Sequence, residues 1–469
     1  MTPGDLLIRG AEVDGRVTDV RIAGGRIAAI GEAAAATPAG AGEIDARGGA
    51  LIPSLADHHI HLFALAARKS SVGLEDVATA AAFRARIEAA AAARAPGAWI
   101  RAVGYHERMA GELDREALDR LAPRHPLRIQ HQTGALWVLN SAALAAVGAA
   151  AGPQCVERGA DGAPTGRIWR GDAWLKERLG AESPPLAPIG RELAACGITS
   201  LTDASVTTDA AAAAELAQAR RRGELPQRLM LMSGGALAAP DDGAYAVGPV
   251  KVLLDDHDLP PLEDFVAKIA AARRWGRAVA VHCVTAAELA LTFAAFEAGG
   301  ARPGDRIEHG GVIPAEAIGQ IRAMGLAVVT QPAFVRERGD RYLAEVEPHE
   351  QADLYRCASL RAAGVPMAAS SDAPYASPDP WLGVTAAVTR TTAGGQVLGA
   401  AERITPAEAL AMYLGAAASP ATPRRVTAGA DADLCLLTAP LRDALAAPSA
   451  DFVAATLIGG RIVHPAGNT

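Results

Sequence analysis

The 469-residue chain has few of the features that mark secreted, membrane-spanning or nucleic-acid-binding proteins. Its five cysteines are scattered, odd in number and without Cys-x-x-Cys spacing, which indicates reduced thiols rather than a disulfide framework. No run of about 18 uncharged apolar residues is present, so we expect no membrane span. No basic segment followed by an apolar stretch opens the chain, so we expect no signal peptide and a cytoplasmic protein.

Charge and aromatic content further narrow the classes of protein to which the chain can belong. The net charge of −7 is modest and spread along the chain, and no basic patch with interleaved aromatic residues occurs. Nucleic acid is therefore not an expected partner. Aromatic residues make up 4% of the chain and hydrophobic residues 50%, which is typical of a folded protein with a large core. The length allows roughly two to four domains, although α/β barrels run longer as one unit.

Short β patterns occur at both ends of the chain. Near the start they cover residues 6–13, 19–30 and 43–46, with glycine turns at Gly15 and Gly24-Gly25. Near the end they cover residues 432–437 and 453–464, with a turn at Gly459-Gly460. Two β stretches that bracket a long α/β middle predict a small discontinuous β-sandwich domain, made of residues 1–53 and 423–469.

The middle of the chain, residues 54–422, alternates strand and helix patterns. The run before His59 predicts a first strand, and the others are predicted at residues 127–132, 198–203, 250–254, 278–283, 306–309, 327–331 and 367–371. Eight β-α units imply a parallel (β/α)8 barrel, the TIM-barrel fold. Such a barrel places its functional groups at the C-terminal ends of its strands.

Residues 57–61 read Asp-His-His-Ile-His after an apolar run. In a strand, His59 and His61 point to the same face, where two imidazoles form half of a site for zinc or a related ion. Alone, this pair is equally compatible with packed histidines. Polar residues at other predicted strand ends favour a metal site; these are Lys251, His282, Glu308-His309 and Ser370-Ser371-Asp372.

Lys251 stands in an apolar run of a chain that strongly prefers arginine to lysine. A primary amine reacts with carbon dioxide to form a carbamate, an anionic ligand with two oxygens that can bridge two metal ions. A guanidinium group cannot do this, and its permanent charge repels cations. The alternative is a lysine paired inside the barrel with Asp255 or Asp203.

Several motifs carry a family resemblance along residues 1–465. They are Leu-Ile-Pro-Ser-Leu-Ala-Asp-His-His-Ile-His-Leu (51–62), Gly-Tyr-His-Glu (104–107), Leu-Asp-Arg-Leu-Ala-Pro (118–123), residues 137–144, Gly-Ile-Thr-Ser-Leu-Thr-Asp (197–203), and residues 306–310, 371–374, 379–381, 429–434 and 459–463. In these motifs the chain resembles the amidohydrolase superfamily, and most closely its amidohydrolase-3, YtcJ-like branch. The resemblance implies an insert in the barrel after strand one.

The resemblance also implies a metal-dependent amidohydrolase. His59 and His61 would hold the more buried metal with Asp372, and carbamylated Lys251 would bridge to a second metal held by His282 and His309. Zinc is the expected metal, at two ions per chain. Asp372 would act as general base and then acid while metal-activated water cleaves an amide, N-acyl, N-formyl or cyclic-amide C–N bond.

Two departures from the family pattern qualify these expectations. Thr133-Gly134-Ala135 replaces an Asp-Gly-His of many branch members, so His131, predicted at the end of strand two, is the candidate donor that polarises the carbonyl. Thr285 stands where the deaminase branch has a glutamate, which disfavours a mononuclear deaminase. A metabolite-binding barrel without catalysis is the remaining alternative.

Candidate substrate contacts on predicted loops or strand ends are Tyr105, His106, His131, Arg170 and Gln331. Each has a structural alternative: Tyr105 and His106 as packing residues of the insert, and Arg170 as a partner of Asp172. The charged residues 336–355 predict either a mobile cover over the site or a solvated helix. The expected partner is a small-molecule substrate, and the formation of a homo-oligomer stays open.

Overall fold

The computed structural model describes residues 5–35, 42–74, 76–179 and 184–465. The chain divides into two compact units, one of Met1–Leu62 with Leu186–Thr469 and one of Phe63–Pro185. The first unit holds a β-sandwich and a barrel, and the second is a long insert between the first two barrel strands. The boundaries predicted between sandwich and barrel, near residues 53 and 423, stay a prediction.

The strands and helices follow one another along the whole described chain. The strands are β1 (Leu6–Val13), β2 (Arg16–Ala23), β3 (Arg26–Ile30), β4 (Gly42–Asp45), β5 (Leu51–Pro53), β6 (Leu55–Ile60), β7 (Val72–Gly73), β8 (Ile100–Tyr105), β9 (Leu127–His131), β10 (Leu136–Leu139), β11 (Val156–Arg158), β12 (Pro164–Trp169), β13 (Ile198–Asp203), β14 (Arg228–Ser233), β15 (Ala246–Val252), β16 (Val279–Cys283), β17 (Arg306–His309), β18 (Ala327–Thr330), β19 (Met367–Ala369), β20 (Gly415–Ala416), β21 (Ser419–Pro423), β22 (Leu434–Leu437), β23 (Val453–Ile458) and β24 (Arg461–Pro465). The helices are α1 (Leu62–Lys69), α2 (Ala80–Ala92), α3 (Glu107–Ala110), α4 (Arg115–Leu121), α5 (Ser141–Ala146), α6 (Asp172–Leu179), α7 (Ala187–Ala195), α8 (Ala210–Arg221), α9 (Leu262–Arg274), α10 (Ala286–Gly299), α11 (Ala317–Ala323), α12 (Ala333–Glu345), α13 (Ala358–Ala362), α14 (Pro380–Thr389), α15 (Pro406–Ala411) and α16 (Leu441–Ala446).

Both ends of the chain build the sandwich. One four-stranded sheet has the order β3-β2-β1-β4, and the other has the order β24-β23-β22-β5. Side chains from both sheets, among them Ile8, Ile22, Leu434 and Leu457, form one buried apolar cluster. This shared core confirms the predicted β-sandwich, because two sheets with one apolar face each must bury those faces against each other.

Eight parallel strands form the barrel, in the order β6-β13-β14-β15-β16-β17-β18-β19. Two backbone hydrogen bonds join its first and last strand regions. The amide of Asp372 donates to the carbonyl of His59 at 2.8 Å, and the amide of His61 donates to the carbonyl of Ala373 at 2.9 Å. The predicted (β/α)8 barrel is confirmed, and these bonds bring the segments of residues 59–61 and 372–373 together.

One of the predicted barrel strands is wrong. Residues 127–132 fall in β9, which pairs with β8 and β10 in the six-stranded sheet β11-β12-β10-β9-β8-β7 of the insert. The third barrel strand is β14 instead. The burial patterns agree with this difference: β14 is buried at every position after its first, whereas three of the five residues of β9 are half-buried. Barrel strands are covered on both faces and therefore read as continuous apolar runs.

The insert has a core of its own. Phe83 and Ile87 of α2 pack with Leu118 of α4 and with the strand residues Ile100 and Leu127 in one buried cluster. Helices on a mixed sheet bury an apolar face in this way, which explains why the segment separates as a compact unit. In the described part of the chain, no helix combines the length and the apolar character that a membrane span requires.

Candidate active site

Four histidines and an aspartate meet at the C-terminal end of the barrel. His59 and His61 come from the end of β6, His282 and His309 from β16 and β17, and Asp372 from the segment after β19. The ring centroids of His59 and His309 are 4.7 Å apart, and those of His282 and His309 are 4.5 Å apart. The order of the parallel strands therefore places these predicted ligands side by side, as a barrel requires.

Three of these residues already surround a common point. His59 Nε2 is 3.5 Å and His61 Nε2 is 3.1 Å from Asp372 Oδ1. One ligand atom from each of His59, His61 and Asp372 lies within 4.8 Å of the others. Two imidazole nitrogens and a carboxylate oxygen in this arrangement are a donor set that binds divalent metal ions.

Three histidines use their Nδ1 atoms for contacts within the protein. Nδ1 of His59 is hydrogen bonded to Glu308, and Nδ1 of His61 lies 3.0 Å from Ser205 Oγ. Nδ1 of His309 lies 2.9 Å from Gln331 Oε1. When Nδ1 donates to an oxygen, Nε2 is left as the free lone pair, which is the tautomer that binds a metal. The sequence did not single out Glu308 and Ser205 for this role.

Glu308 belongs to a fully buried network. Arg306 Nε donates to Glu308 Oε1 at 2.5 Å, and Arg306 Nη2 donates to the carbonyl of His58 at 3.0 Å. The charge of Arg306 balances the carboxylate that holds His59. The signal available in the sequence was the pair of opposite charges in the short predicted strand of residues 306–309, because charged residues are rarely buried without a partner.

Burial favours the neutral form of three of the candidate ligand histidines. It lowers the pKa of His282 to about 4 and lowers the pKa values of His59 and His309 well below the ordinary value. These imidazoles are therefore neutral near pH 7. Neutral imidazole is the form that binds a metal.

Lys251 lies on β15 and is 4% exposed. Burial lowers the pKa of its amine, which raises the fraction of free base, the form that reacts with carbon dioxide. Its alternative partners are engaged elsewhere: the carboxylate of Asp203 accepts from Leu62 N and Ser205 N, and that of Asp255 accepts from His257 N. In the part of the chain that the structure describes, Lys251 Nζ has no hydrogen-bond partner.

The residues of this cluster fit a metal ion. Nε2 of His59, Nζ of Lys251 and Oδ1 of Asp372 are all buried without a hydrogen-bond partner among the described residues. Buried polar atoms are almost always satisfied, so three orphaned atoms at one end of a barrel need a ligand or a modification. A divalent cation together with a carboxylated lysine would satisfy all three.

His309 and Asp372 have left-handed backbone conformations, with φ of 70° and 56°. Such conformations cost a non-glycine residue about 1–3 kcal/mol and persist where neighbours enforce them.

Next to Asp372, Asp57 accepts hydrogen bonds from Ser371 N at 3.1 Å and from Ser371 Oγ at 2.5 Å. Burial raises the pKa of Asp57 to about 6. Asp57 thus fixes the segment that presents Asp372.

Gln331 was predicted as a substrate contact. It is fully buried, its Oε1 faces His309 Nδ1, and its Nε2 donates to Ser370 Oγ at 2.9 Å. Both ends of the amide are therefore engaged within the barrel. This geometry favours a role in orienting His309 over the predicted contact with substrate.

The other predicted contacts lie in the insert unit. His131 ends β9, which belongs to the sheet of the insert, so its predicted position at the end of a barrel strand is wrong. Its Nε2 lies 3.1 Å from Glu107 Oε2. The His106 ring lies 5.6 Å from that of His131. Tyr105 is buried, and its hydroxyl donates to Gly111 O at 2.6 Å. The roles of these residues in catalysis and binding stay predictions.

The structural alternative predicted for Arg170 is an ion pair with Asp172, and the described side chains do not form this pair. Asp172 Oδ1 accepts a hydrogen bond from the indole Nε1 of Trp137 at 2.8 Å. Arg170 has a φ of 49°, and its amide donates to Ala135 O at 2.7 Å. Its backbone thus closes a turn of the insert, and its part in substrate binding stays a prediction.

The fold and the cluster together define a (β/α)8-barrel protein with a candidate metal centre at its C-terminal end. A model of the amidohydrolase family matches residues 42–464, and the chain belongs to this family. It is therefore a hydrolase that acts on carbon–nitrogen bonds other than peptide bonds.

The chain is also similar to individual proteins in sequence or in fold. The chain is 26% identical over 481 residues to an N-substituted formamide deformylase of Arthrobacter pascens, covering 87% of this chain and 88% of that protein. Its fold is similar to that of an uncharacterized metal-dependent hydrolase from Pyrococcus horikoshii OT3, with a TM-score of 0.76, 19% identity and coverage of 98% and 100%. It is also similar in fold to N-isopropylammelide isopropylaminohydrolase from Burkholderia multivorans ATCC 17616, with a TM-score of 0.54, 18% identity and coverage of 99% and 98%.

Proposed function

We propose that the protein is a metal-dependent amidohydrolase that cleaves the C–N bond of small-molecule amides, with N-substituted formamides as the first class to test. The cluster of His59, His61 and Asp372, with its orphaned buried atoms, carries this proposal. The name of the relative from Arthrobacter pascens supports the choice of formamides.

The donor set divides into two groups. His59, His61 and Asp372 would hold one ion, and carboxylated Lys251 would connect it to a second ion held by His282 and His309. Zinc suits a set dominated by imidazole and carboxylate. A bound divalent ion polarises a carbonyl group and makes water a better nucleophile near neutral pH.

We assign the proton transfer to Asp372. Its Oδ1 accepts no hydrogen bond from the described residues and points to the imidazoles of His59 and His61. In hydrolysis, the oxygen of water adds to the carbonyl carbon and the C–N bond then breaks. Asp372 takes a proton from the attacking water and gives it to the leaving nitrogen, as general base and then general acid.

The contacts of Thr285 and of the neighbouring Glu288 do not support a role for these residues in deamination. The Thr285 side chain caps α10 by accepting from Glu288 N, and its hydroxyl donates to Asp256 at 3.1 Å. The carboxylate of Glu288 turns back to accept from Val284 N and Thr285 N. Both side chains are thus used in a capping box that begins the helix.

Hydrolysis of N-substituted formamides and N-acyl amines, followed by amine release, tests the proposal. We expect the metal-loaded wild type to turn over at least one class and Asp372→Asn to lose about 100-fold or more in kcat. Asp433→Asn is the matched control, because Asp433 is as buried as Asp372 and binds Arg228 at the start of β14, the end of the barrel opposite the cluster. Full activity of Asp372→Asn, or a wild type inactive on every amide, would reject the proposal and favour a binding protein.

A further inference from the structure

An exposed aromatic ring stands next to the candidate metal centre. Tyr375 is 56% exposed, and its ring centroid lies 5.8 Å from that of His61 at an interplanar angle of 89°. Aromatic residues make up only 4% of the chain. Of the exposed large apolar side chains that the structure describes, Tyr375 is the one in ring contact with a candidate ligand.

The backbone of Tyr375 is firmly held. Its amide donates to the carbonyl of Asp372 at 2.9 Å, and Arg338 Nη2 donates to the carbonyl of Tyr375 at 2.7 Å. Two residues further on, Ser377 N donates to Glu337 Oε1 at 3.0 Å. Helix α12 thus pins the loop at two points. The ring is presented to solvent by a fixed loop rather than by a loose one.

The ring is also supported by a cation. The guanidinium of Arg338 lies 4.2 Å from the ring centroid of Phe334 and 5.9 Å from that of Tyr375. Phe334 in turn packs on Tyr355, with centroids 5.5 Å apart. Phe334 and Tyr355 are buried, so the stack is anchored in the core and ends in the exposed ring. Such preorganisation lowers the entropic cost of binding a ligand to that ring.

We propose that Tyr375, braced by Arg338, is a substrate subsite for an aromatic substituent on the amide nitrogen. The inference rests on the proposed function, because the acyl side of a formamide carries only hydrogen and the nitrogen side must then fill the rest of the site. Flat rings pair with aromatic side chains in offset or edge-to-face geometry, and an aliphatic ring of equal size does not gain this term. Contact with His61 places the subsite beside the reacting bond.

A pair of matched substrates tests the subsite. N-(2-phenylethyl)formamide and N-(2-cyclohexylethyl)formamide release similar amines and differ in the flatness of the ring. We expect wild type to prefer the phenyl substrate and Tyr375→Leu to reduce the ratio of the two kcat/KM values by about three- to tenfold. Tyr375→Phe should restore the ratio, because it keeps the ring.

Trp275→Leu is the matched control for loss of an exposed aromatic side chain. Trp275 is 43% exposed and directly follows α9, whose C-terminal end lies at the barrel edge opposite the strand ends that carry the candidate ligands. This variant should keep the wild-type ratio. An unchanged ratio in Tyr375→Leu, or an equal fall in Trp275→Leu, would overturn the proposal.

Binding of the free amines separates this inference from the proposed function. Wild-type turnover of N-methylformamide tests the reaction without using the subsite. If no formamide is hydrolysed, NMR titration with 2-phenylethylamine and 2-cyclohexylethylamine still tests the ring. Preferential binding of the phenyl amine that Tyr375→Leu removes would support the subsite, and equal binding of both amines would refute it.

Discussion

Replacing Glu308 by glutamine changes a residue that is not a candidate metal ligand but is hydrogen bonded to one, His59. Both carboxylate oxygens of Glu308 accept hydrogen bonds, one from Arg306 and one from His59. An amide has one oxygen and one NH2 group. Glu308→Gln therefore faces either Arg306 or His59 with a donor, and one of the two bonds is lost.

The magnitude follows from burial. Glu308 and Arg306 are 0% and 2% exposed, so the variant leaves a buried guanidinium without its counter-charge, at a cost of about 3–5 kcal/mol. The loss of a carboxylate that orients a metal-binding histidine weakens metal affinity by about 10- to 100-fold. We expect both effects in Glu308→Gln.

Competition with a chelator measures the affinity, and urea unfolding measures the stability. Glu402→Gln is the matched control, because Glu402 is 3% exposed and accepts from Arg356 at 2.8 Å and from Ser359, neither of which is a candidate ligand. We expect a similar loss of stability in both variants and weaker metal binding in Glu308→Gln alone. Equal metal affinity in wild type and Glu308→Gln would refute the role of Glu308.

Two further predictions address orientation and pH. Gln331→Met removes the Nδ1 partner of His309, so this variant should bind the metal more weakly and have a lower kcat with little change in KM. A raised KM with intact metal binding would instead indicate that Gln331 contacts the substrate. Burial raises the pKa of Glu402, but hydrogen bonds from Ser359 and Arg356 outweigh it and hold the pKa below the ordinary 4.5. The stability that this carboxylate contributes is present above pH 4.5 and is lost as the pH falls through the lowered pKa. The difference in unfolding free energy between wild type and Glu402→Gln should therefore shrink in acid, and a constant difference would contradict the assignment.

The fold followed from the sequence where burial leaves a clear pattern. Strand β16 begins with Val-Ala-Val and β18 with Ala-Val-Val, and the glycine turn at Gly459-Gly460 marks the hairpin of β23 and β24. The error at residues 127–132 arose because local pattern does not say which sheet a strand joins. Pairing of β9 with β8 and β10 is decided by the core of the insert, which contains residues distant in sequence.

The same limit applies to the candidate site. The predicted ligands His59, His61 and Asp372 were visible as chemistry at strand ends, since a barrel brings those ends together. The supporting contacts were not: Ser205 reaches His61 across 144 positions of sequence, and Glu308 reaches His59 across 249. Hydrogen bonds of this kind depend on rotamers and strand register. A motif names the ligands and leaves their orienting partners unspecified.

The metal content of protein purified without added metal tests the central proposal most directly, for wild type beside Lys251→Ala. We expect about two metal ions per chain in wild type, falling to one or none in the variant, because the carboxylated lysine connects the two groups of ligands. About one ion per chain in both proteins would contradict the bridge and give Lys251 a structural role. No metal in wild type, even after exposure to zinc, would contradict the metal centre itself.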